Sequence, residues 1–94
     1  MNKAAARRKL DGRGLPEAQA RAGRRAMQRA TTSEDIDIVI MDAGDHLIRR
    51  SRPGRDGRQV LEDTVKPDGA KEVVQKAYDA AGNLVHYDPK GGTP

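Results

Sequence analysis

The chain has 94 residues, and its 18 Lys and Arg residues exceed its 14 Asp and Glu residues, giving a formal net charge of +4. Only 15 residues are Ile, Leu or Val and none is Phe, so the sequence can build at most one small domain with an aliphatic core. The absence of cysteine excludes disulfides, thiolate metal sites and a thiol nucleophile, and no apolar run approaches the roughly 18 residues that a membrane span needs.

The positive charge is concentrated in the first third of the chain. Residues 1–33 hold nine Lys and Arg against two acidic residues, a net of +7. Residues 34–94 hold nine basic and twelve acidic residues, a net of −3. Such asymmetry is typical of proteins that contact an acidic partner, either a nucleic acid or an acidic protein.

The basic third divides into two predicted parts. Residues 1–14 are predicted to be a flexible basic tail, because they end in an Asp-Gly-Arg-Gly sequence that interrupts a helix. Residues 15–33 are predicted to be an Arg-rich helix and a linker, with Pro16 in the first turn and Glu17 near the positive helix end. Gly23 weakens this helix by about 1 kcal/mol relative to Ala.

Residues 34–90 are predicted to form an antiparallel sheet, and residues 91–94 a loose tail. The alternation of Ile36, Ile38 and Ile40 is the strongest strand signal, and Gly, Pro and Asp punctuate the rest. Short connections favour antiparallel pairing. The predicted fold is α+β, a weak N-terminal helix followed by a four- to five-stranded antiparallel β-meander. The predicted strands are Asp35–Asp42, His46–Ser51, Arg58–Val65, Lys71–Asp79 and Asn83–Asp88, with residues 72–77 also compatible with a helix.

Residues 77–90 read Ala-Tyr-Asp-Ala-Ala-Gly-Asn-Leu-Val-His-Tyr-Asp-Pro-Lys, a predicted hairpin with Gly82-Asn83 in its turn. This segment resembles the Tyr-Asp-x-x-Gly-Asn-Leu signature of YD-repeat (Rhs-type) bacterial proteins, which recurs in C-terminal toxin domains of polymorphic secreted proteins. A helix followed by a small antiparallel sheet is also similar to the layout of barnase-EndoU-colicin-RelE-type ribonuclease toxins. The resemblance implies delivery within a larger secreted protein, action in the cytoplasm and an immunity protein as partner.

Metal-independent RNA cleavage requires a base, an acid and a cation that stabilises charge on the phosphorane. An imidazole suits proton transfer near neutral pH, so His86 is predicted to be the base or acid and His46 its counterpart. Arg49 or Arg50 is predicted to stabilise the charge. This ribonuclease hypothesis requires that folding gather these side chains into one cleft, and it invokes no cofactor.

RNA is the predicted partner, with tRNA as one candidate. The planar guanidinium of arginine binds phosphate oxygens through two parallel hydrogen bonds. Tyr87 can stack on an RNA base or pair with Tyr78 across the hairpin. The predicted RNA contacts are Arg21, Arg24, Arg25, Arg29, Arg52, Arg55, Arg58 and Tyr87.

Two alternatives to catalysis stay open. The chain can be a non-catalytic binding module whose basic arm contacts nucleic acid or an acidic protein, or a structural Rhs-like tail without activity. Asp42, Asp45 and His46 have the residue types of a metal site, but turns are rich in Asp and Gly, so no metal is predicted there. No membrane contact is predicted, and the sequence does not indicate an oligomeric state.

Overall fold

A computed structural model describes the backbone of residues 1–93 and the side chains of residues 1–90. The elements are helices α1 and α2, strands β1 to β5 and a short 3-10 turn after β1. The strands form one antiparallel sheet in chain order, which confirms the predicted α+β meander. The bounds are α1 Lys3–Asp11, α2 Glu17–Gln28, β1 Asp35–Ile40, the turn Asp42–Gly44, β2 His46–Pro53, β3 Gly57–Val65, β4 Lys71–Asp79 and β5 Leu84–Thr93.

The N-terminal segment is a packed helix, where the sequence predicts a flexible tail for residues 1–14. The side chain of Asn2 caps α1 by accepting a hydrogen bond from the Ala5 backbone N–H at 2.8 Å. Ala6 and Leu10, one turn apart on the same side, are fully buried. The Asp-Gly-Arg-Gly sequence therefore ends this helix rather than preventing it.

The two helices pack closely because one contact residue has no side chain. Gly23 of α2 is buried, and a Cβ placed on it would lie 2.8 Å from the Leu10 Cδ2 atom of α1. This contact explains why α2 contains a glycine at position 23, although glycine by itself weakens a helix. α1 lies over β1, and α2 lies over β2 and β3.

The core lies between the helices and one face of the sheet, called here the helix-side face. Alternate residues of β1, β2 and β3 point to it, in keeping with the two-residue period of strands. Opposite this lies the open face, which no described helix covers. The buried core is Ala6, Leu10, Ala26, Met27, Ala30, Ile36, Ile38, Ile48 and Val65.

The hairpin of β4 and β5 extends beyond the helices, and β5 is an edge strand. Two register shifts leave Val85 and Lys90 as bulges that face no residue of β4. Residues 91–93, predicted to be part of a loose tail, instead continue β5 and pair with β4, while Pro94 lies outside the described residues.

Candidate nucleic-acid interface

His46 is a buried residue at the start of β2. Its side chain is 3% exposed, and its Nδ1 atom lies 3.0 Å from the Gly44 carbonyl oxygen and 3.4 Å from Gln19 Nε2. Gln19, itself buried, also donates to the carbonyl oxygens of Gly44 and Val65 at 2.8 and 2.9 Å. His46 therefore helps to join α2 to the sheet, and its imidazole is closed to a substrate.

His86 is exposed on β5, far from His46. It lies opposite Ala77, which is level with Gln59 and then with Arg52 of β2. His86 is therefore three strands away from β2 across the sheet. Along the strand direction it is level with Arg52, which is six residues after His46. At about 4.8 Å per strand and about 3.4 Å per residue, the two histidines are roughly 25 Å apart. The structure does not bring the two predicted proton carriers into one cleft.

Arg49 takes part in an ion cluster on the open face. Its Nε atom donates to Glu62 Oε2 at 2.9 Å, and Lys76 Nζ lies 2.7 Å from Glu62 Oε1. Burial raises the pKa of Glu62, but the hydrogen bonds from Lys76 and Arg49 outweigh it and hold that pKa below its ordinary value. The same hydrogen bond acts in the opposite direction on Lys76 and raises the pKa of its ammonium group.

Arg50 takes part in a second ion cluster, on the helix-side face. Its Nη2 atom lies 3.8 Å from Asp63 Oδ1, and Lys71 Nζ lies 3.5 Å from Asp63 Oδ2. Each cluster therefore places a carboxylate of β3 between an arginine of β2 and a lysine of β4. Both arginines that were predicted to stabilise a phosphorane are paired with carboxylates.

These carboxylates and lysines were not among the predicted functional residues, although the sequence contains a signal for them. Glu62 and Asp63 are consecutive acidic residues in a strand otherwise rich in Val and Leu. Across the β2–β3 hairpin, Glu62 lies directly opposite Arg49, whereas Asp63 lies diagonally across from Arg50, on the other face of the sheet. Opposite charges at cross-strand positions predict paired clusters on both faces.

Three arginines form a row along the exposed side of α2. Arg21, Arg25 and Arg29 recur at four-residue intervals, so their Cα atoms rise about 6 Å per step. Arg25 and Arg29 have no carboxylate within 4.0 Å among the described side chains. Arg21 makes one long ion pair, with Glu17 at 3.9 Å. We call these three residues the arginine row.

Arg24, by contrast, does not belong to the row. It lies 3.0 Å from Glu17 and 3.5 Å from Asp11, so it links α2 to α1 and is partly shielded. The predicted contribution of Arg24 to RNA binding has no support in this geometry.

The arginine row leads to a cleft on the helix-side face of the sheet. The cleft has a volume of about 300 Å³ and opens where the end of α2 meets β2, β3 and β4. Arg52 Nε and Nη2 both donate to Gln59 Oε1, at 3.3 and 2.9 Å. We call it the arginine cleft, and its lining includes Arg29, Arg50, Arg52, Gln59, Leu61 and Gln75.

The remaining predicted contacts lie elsewhere. Arg55 is exposed in the β2–β3 turn, and Arg58 donates to Ser51 Oγ at 2.9 Å on the open face. Tyr87 is 56% exposed and lies opposite Lys76, whereas Tyr78 lies opposite Leu84. The two tyrosines, both on the open face, are therefore not directly opposed, and Tyr87 is remote from the arginine row.

Comparisons of the chain with protein-family models, with curated proteins and with solved structures found no match. The resemblance of residues 77–90 to YD-repeat proteins therefore stays a prediction.

None of the described helices has both the length and the apolar character that a bilayer-spanning segment requires. In the part of the chain that the structure describes, no three His, Asp or Glu residues are grouped so as to hold a metal ion.

Proposed function

We propose that this chain is a nucleic-acid-binding module that contacts phosphates through the arginine row. The observation that supports the proposal most directly is that Arg25 and Arg29 are exposed and unpaired within the described residues, and that Arg29 also lines the arginine cleft. Guanidinium groups bind phosphate oxygens in a fixed geometry, and such contacts dominate the affinity of nucleic-acid-binding proteins.

The geometry favours binding over catalysis. Cleavage through the RNA 2′-hydroxyl needs an acid and a base close to one phosphate, and His46 is buried far from His86. His86 remains the accessible imidazole of the helix-side face, so ribonuclease activity through it alone stays a prediction. Toxin delivery and an immunity protein likewise stay predictions.

An acidic protein is the second candidate partner, and the surface of α2 fits it less well. Stable protein interfaces depend on buried apolar or aromatic anchors at their centre. Apart from the arginine row, the exposed residues of α2 are Glu17, Ala18 and Gln28, and none of them is a large apolar or aromatic side chain. A partner with regularly repeated negative charges, such as a phosphodiester chain, matches this surface better.

Two matched double variants test the proposal. Arg25→Gln with Arg29→Gln removes two charges from the arginine row, whereas Arg55→Gln with Arg58→Gln removes two from the β2–β3 region. With a fluorescein-labelled single-stranded RNA, fluorescence anisotropy should show about tenfold weaker binding for the first pair, which corresponds to about 1.4 kcal/mol. The second pair should stay within about twofold of the parent.

Equal losses in the two double variants, or an absence of RNA binding by the parent, would contradict the proposal. Competition by polyglutamate as effective as that by RNA would instead favour the acidic-protein partner. The RNA from the same samples, run on a denaturing gel, tests the ribonuclease hypothesis. Cleavage by the parent that is lost in His86→Ala would support that hypothesis, and intact RNA would oppose it.

A further inference from the structure

We infer that the arginine cleft is a pocket for a single nucleotide of the bound strand, an assignment that rests on the proposed nucleic-acid binding. The arginine row explains affinity for phosphates but selects no part of a nucleotide. The cleft beside it combines cationic, amide and aliphatic side chains, which match the phosphate, the polar edge and the flat face of a nucleotide.

The cationic part of the cleft contains an incompletely paired arginine. The Arg50 side chain is 6% exposed, and its Nε atom is buried without a hydrogen-bond partner in the described structure. Its closest carboxylate oxygen, on Asp63, is 3.8 Å away, beyond hydrogen-bond distance. Both Asp63 carboxylate oxygens are also buried without a hydrogen-bond partner in the described structure. Asp63 therefore offsets part of the Arg50 charge at long range, and an anion in the cleft would interact with the remainder.

The second arginine of the cleft is held in place by a neutral partner. Because Arg52 donates to the Gln59 amide oxygen, its guanidinium is oriented by a neutral group, and no carboxylate of the described side chains lies within 4.0 Å of it. Arg29, at the end of the arginine row, brings a third cation to the same cleft. These three side chains form the phosphate-binding part of the proposed pocket.

The floor of the cleft suits a base. Arg50, Leu61 and Gln75 lie side by side on β2, β3 and β4, so an aliphatic side chain separates a cation from an amide. The Gln59 and Gln75 side-chain NH₂ groups donate no hydrogen bond among the described residues, which leaves donors for the carbonyl oxygens or ring nitrogens of a base. Leu61 can pack against the flat face of the base.

A carboxylate at the rim limits the charge that the pocket can accept. Glu34 lines the cleft, and its Oε1 atom accepts a hydrogen bond from the Thr31 backbone N–H at 2.8 Å. This interaction holds the negative charge of Glu34 beside the linker that follows α2. The pocket therefore suits one phosphate group better than a chain of several.

Nuclear magnetic resonance of the ¹⁵N-labelled full chain tests the assignment, because it observes the cleft and the arginine row separately. The probes are 5′-UMP and 5′-AMP, with inorganic phosphate and uridine as controls. A nucleotide should produce saturable shifts of the Arg50 Nε–H and the Gln59 and Gln75 amide signals. Inorganic phosphate should move mainly the Arg50 signal, and uridine should bind at least tenfold more weakly than 5′-UMP.

The variant Gln75→Leu removes an amide without disturbing the Asp63 ion cluster. It should weaken 5′-UMP binding about fivefold, the effect of one hydrogen bond. Phosphate binding should be unchanged, and the control Gln28→Leu, on the outer surface of α2, should leave both ligands unaffected.

Titration of the same sample with single-stranded RNA separates the two proposals. RNA shifts at Arg25 with no nucleotide shifts in the cleft would overturn the pocket and leave the binding function intact. Nucleotide shifts without RNA binding would overturn the binding function and, with it, the assignment of the cleft to a nucleotide of a bound strand. If inorganic phosphate reproduced every shift caused by 5′-UMP, the cleft would be an anion site, and nucleotide recognition would be overturned.

Discussion

Glu62 and Asp63 are adjacent in the chain but serve opposite faces of the sheet. Each is nearly inaccessible and lies between an arginine of β2 and a lysine of β4. Burying a carboxylate is costly unless it is paired, so these clusters tie the three central strands together at the positions where their side chains alternate. Arg49, Lys71 and Lys76 therefore belong to the structure of the sheet, whereas the arginine row of α2 is available to a partner.

The Glu62 cluster predicts a component of acid sensitivity. Because the folded-state pKa of Glu62 is lowered, its contribution to stability is present above the unfolded-state value near 4.5. That contribution is lost as the pH falls through the lower folded-state value. Glu62→Gln should reduce the free energy of unfolding at neutral pH by ~1–3 kcal/mol.

Urea titrations between about pH 5 and pH 3 should also show a weaker dependence of stability on pH in this variant than in the parent. The control Glu72→Gln, at an exposed carboxylate, should change stability by less than about 0.5 kcal/mol. Equal pH slopes in the parent and Glu62→Gln would show that the cluster does not contribute as the geometry indicates.

Truncation of the two histidines should affect the free energy of unfolding to different extents. His46→Ala removes a buried ring at the contact between Gln19 of α2 and Gly44, and should cost ~2 kcal/mol. His86→Ala, on an exposed edge strand, should stay within about 0.5 kcal/mol of the parent. Chemical denaturation measures both, and a neutral His46→Ala would mean that the buried imidazole has no role in packing.

At the scale of elements, the contact between α1 and α2 depends on the complementarity of Leu10 and Gly23. In an isolated helix, Gly23→Ala should gain about 1 kcal/mol from propensity. Here the added methyl group would press into the buried Leu10 side chain at 2.8 Å, and overpacking costs ~1–3 kcal/mol. We therefore expect a net loss of ~1 kcal/mol.

A double-mutant cycle identifies the cause of that loss. In the background of Leu10→Ala, which vacates the space, Gly23→Ala should stabilise the protein instead. If Gly23→Ala has the same effect in both backgrounds, the helices do not meet at this point.

The strands could be predicted far more completely than the helices. The alternation of Ile36, Ile38 and Ile40 and the Gly-rich turns define the meander, and Lys71–Asp79 was predicted with the observed bounds. α1 was missed because its buried side is made of Ala6 and Leu10 alone, a pattern too sparse to stand out from a basic segment. Its stability comes from tertiary contacts with α2 and β1, among them that of Leu10 with Gly23, which local sequence does not reveal.

The candidate site could be predicted only in part. The spacing of Arg21, Arg25 and Arg29 is visible in the sequence and places them on one side of a helix. The arginine cleft is not visible, because it depends on which face of the sheet α2 covers and where α2 ends above Arg50. The prediction that His46 and His86 share one cleft was wrong, because residue types alone do not give the distance between them, which is roughly 25 Å.

Across the whole molecule, unpaired positive charge is concentrated on the helical layer. The helical third has a net charge of +7, while the remainder has −3 and pairs much of its charge within the sheet. This polarity gives a nucleic acid one favourable side from which to approach. The hairpin of β4 and β5 extends beyond the helical layer and does not contribute to the arginine row.

The salt dependence of RNA binding tests the central claim most directly. Each phosphate contact on a single strand contributes about 0.7 to the slope of log K against log salt concentration. Arg25→Gln with Arg29→Gln should therefore reduce the magnitude of the slope by roughly 1.4, and Arg55→Gln with Arg58→Gln should leave it unchanged. Identical slopes in the parent and the Arg25/Arg29 variant would contradict phosphate binding by α2.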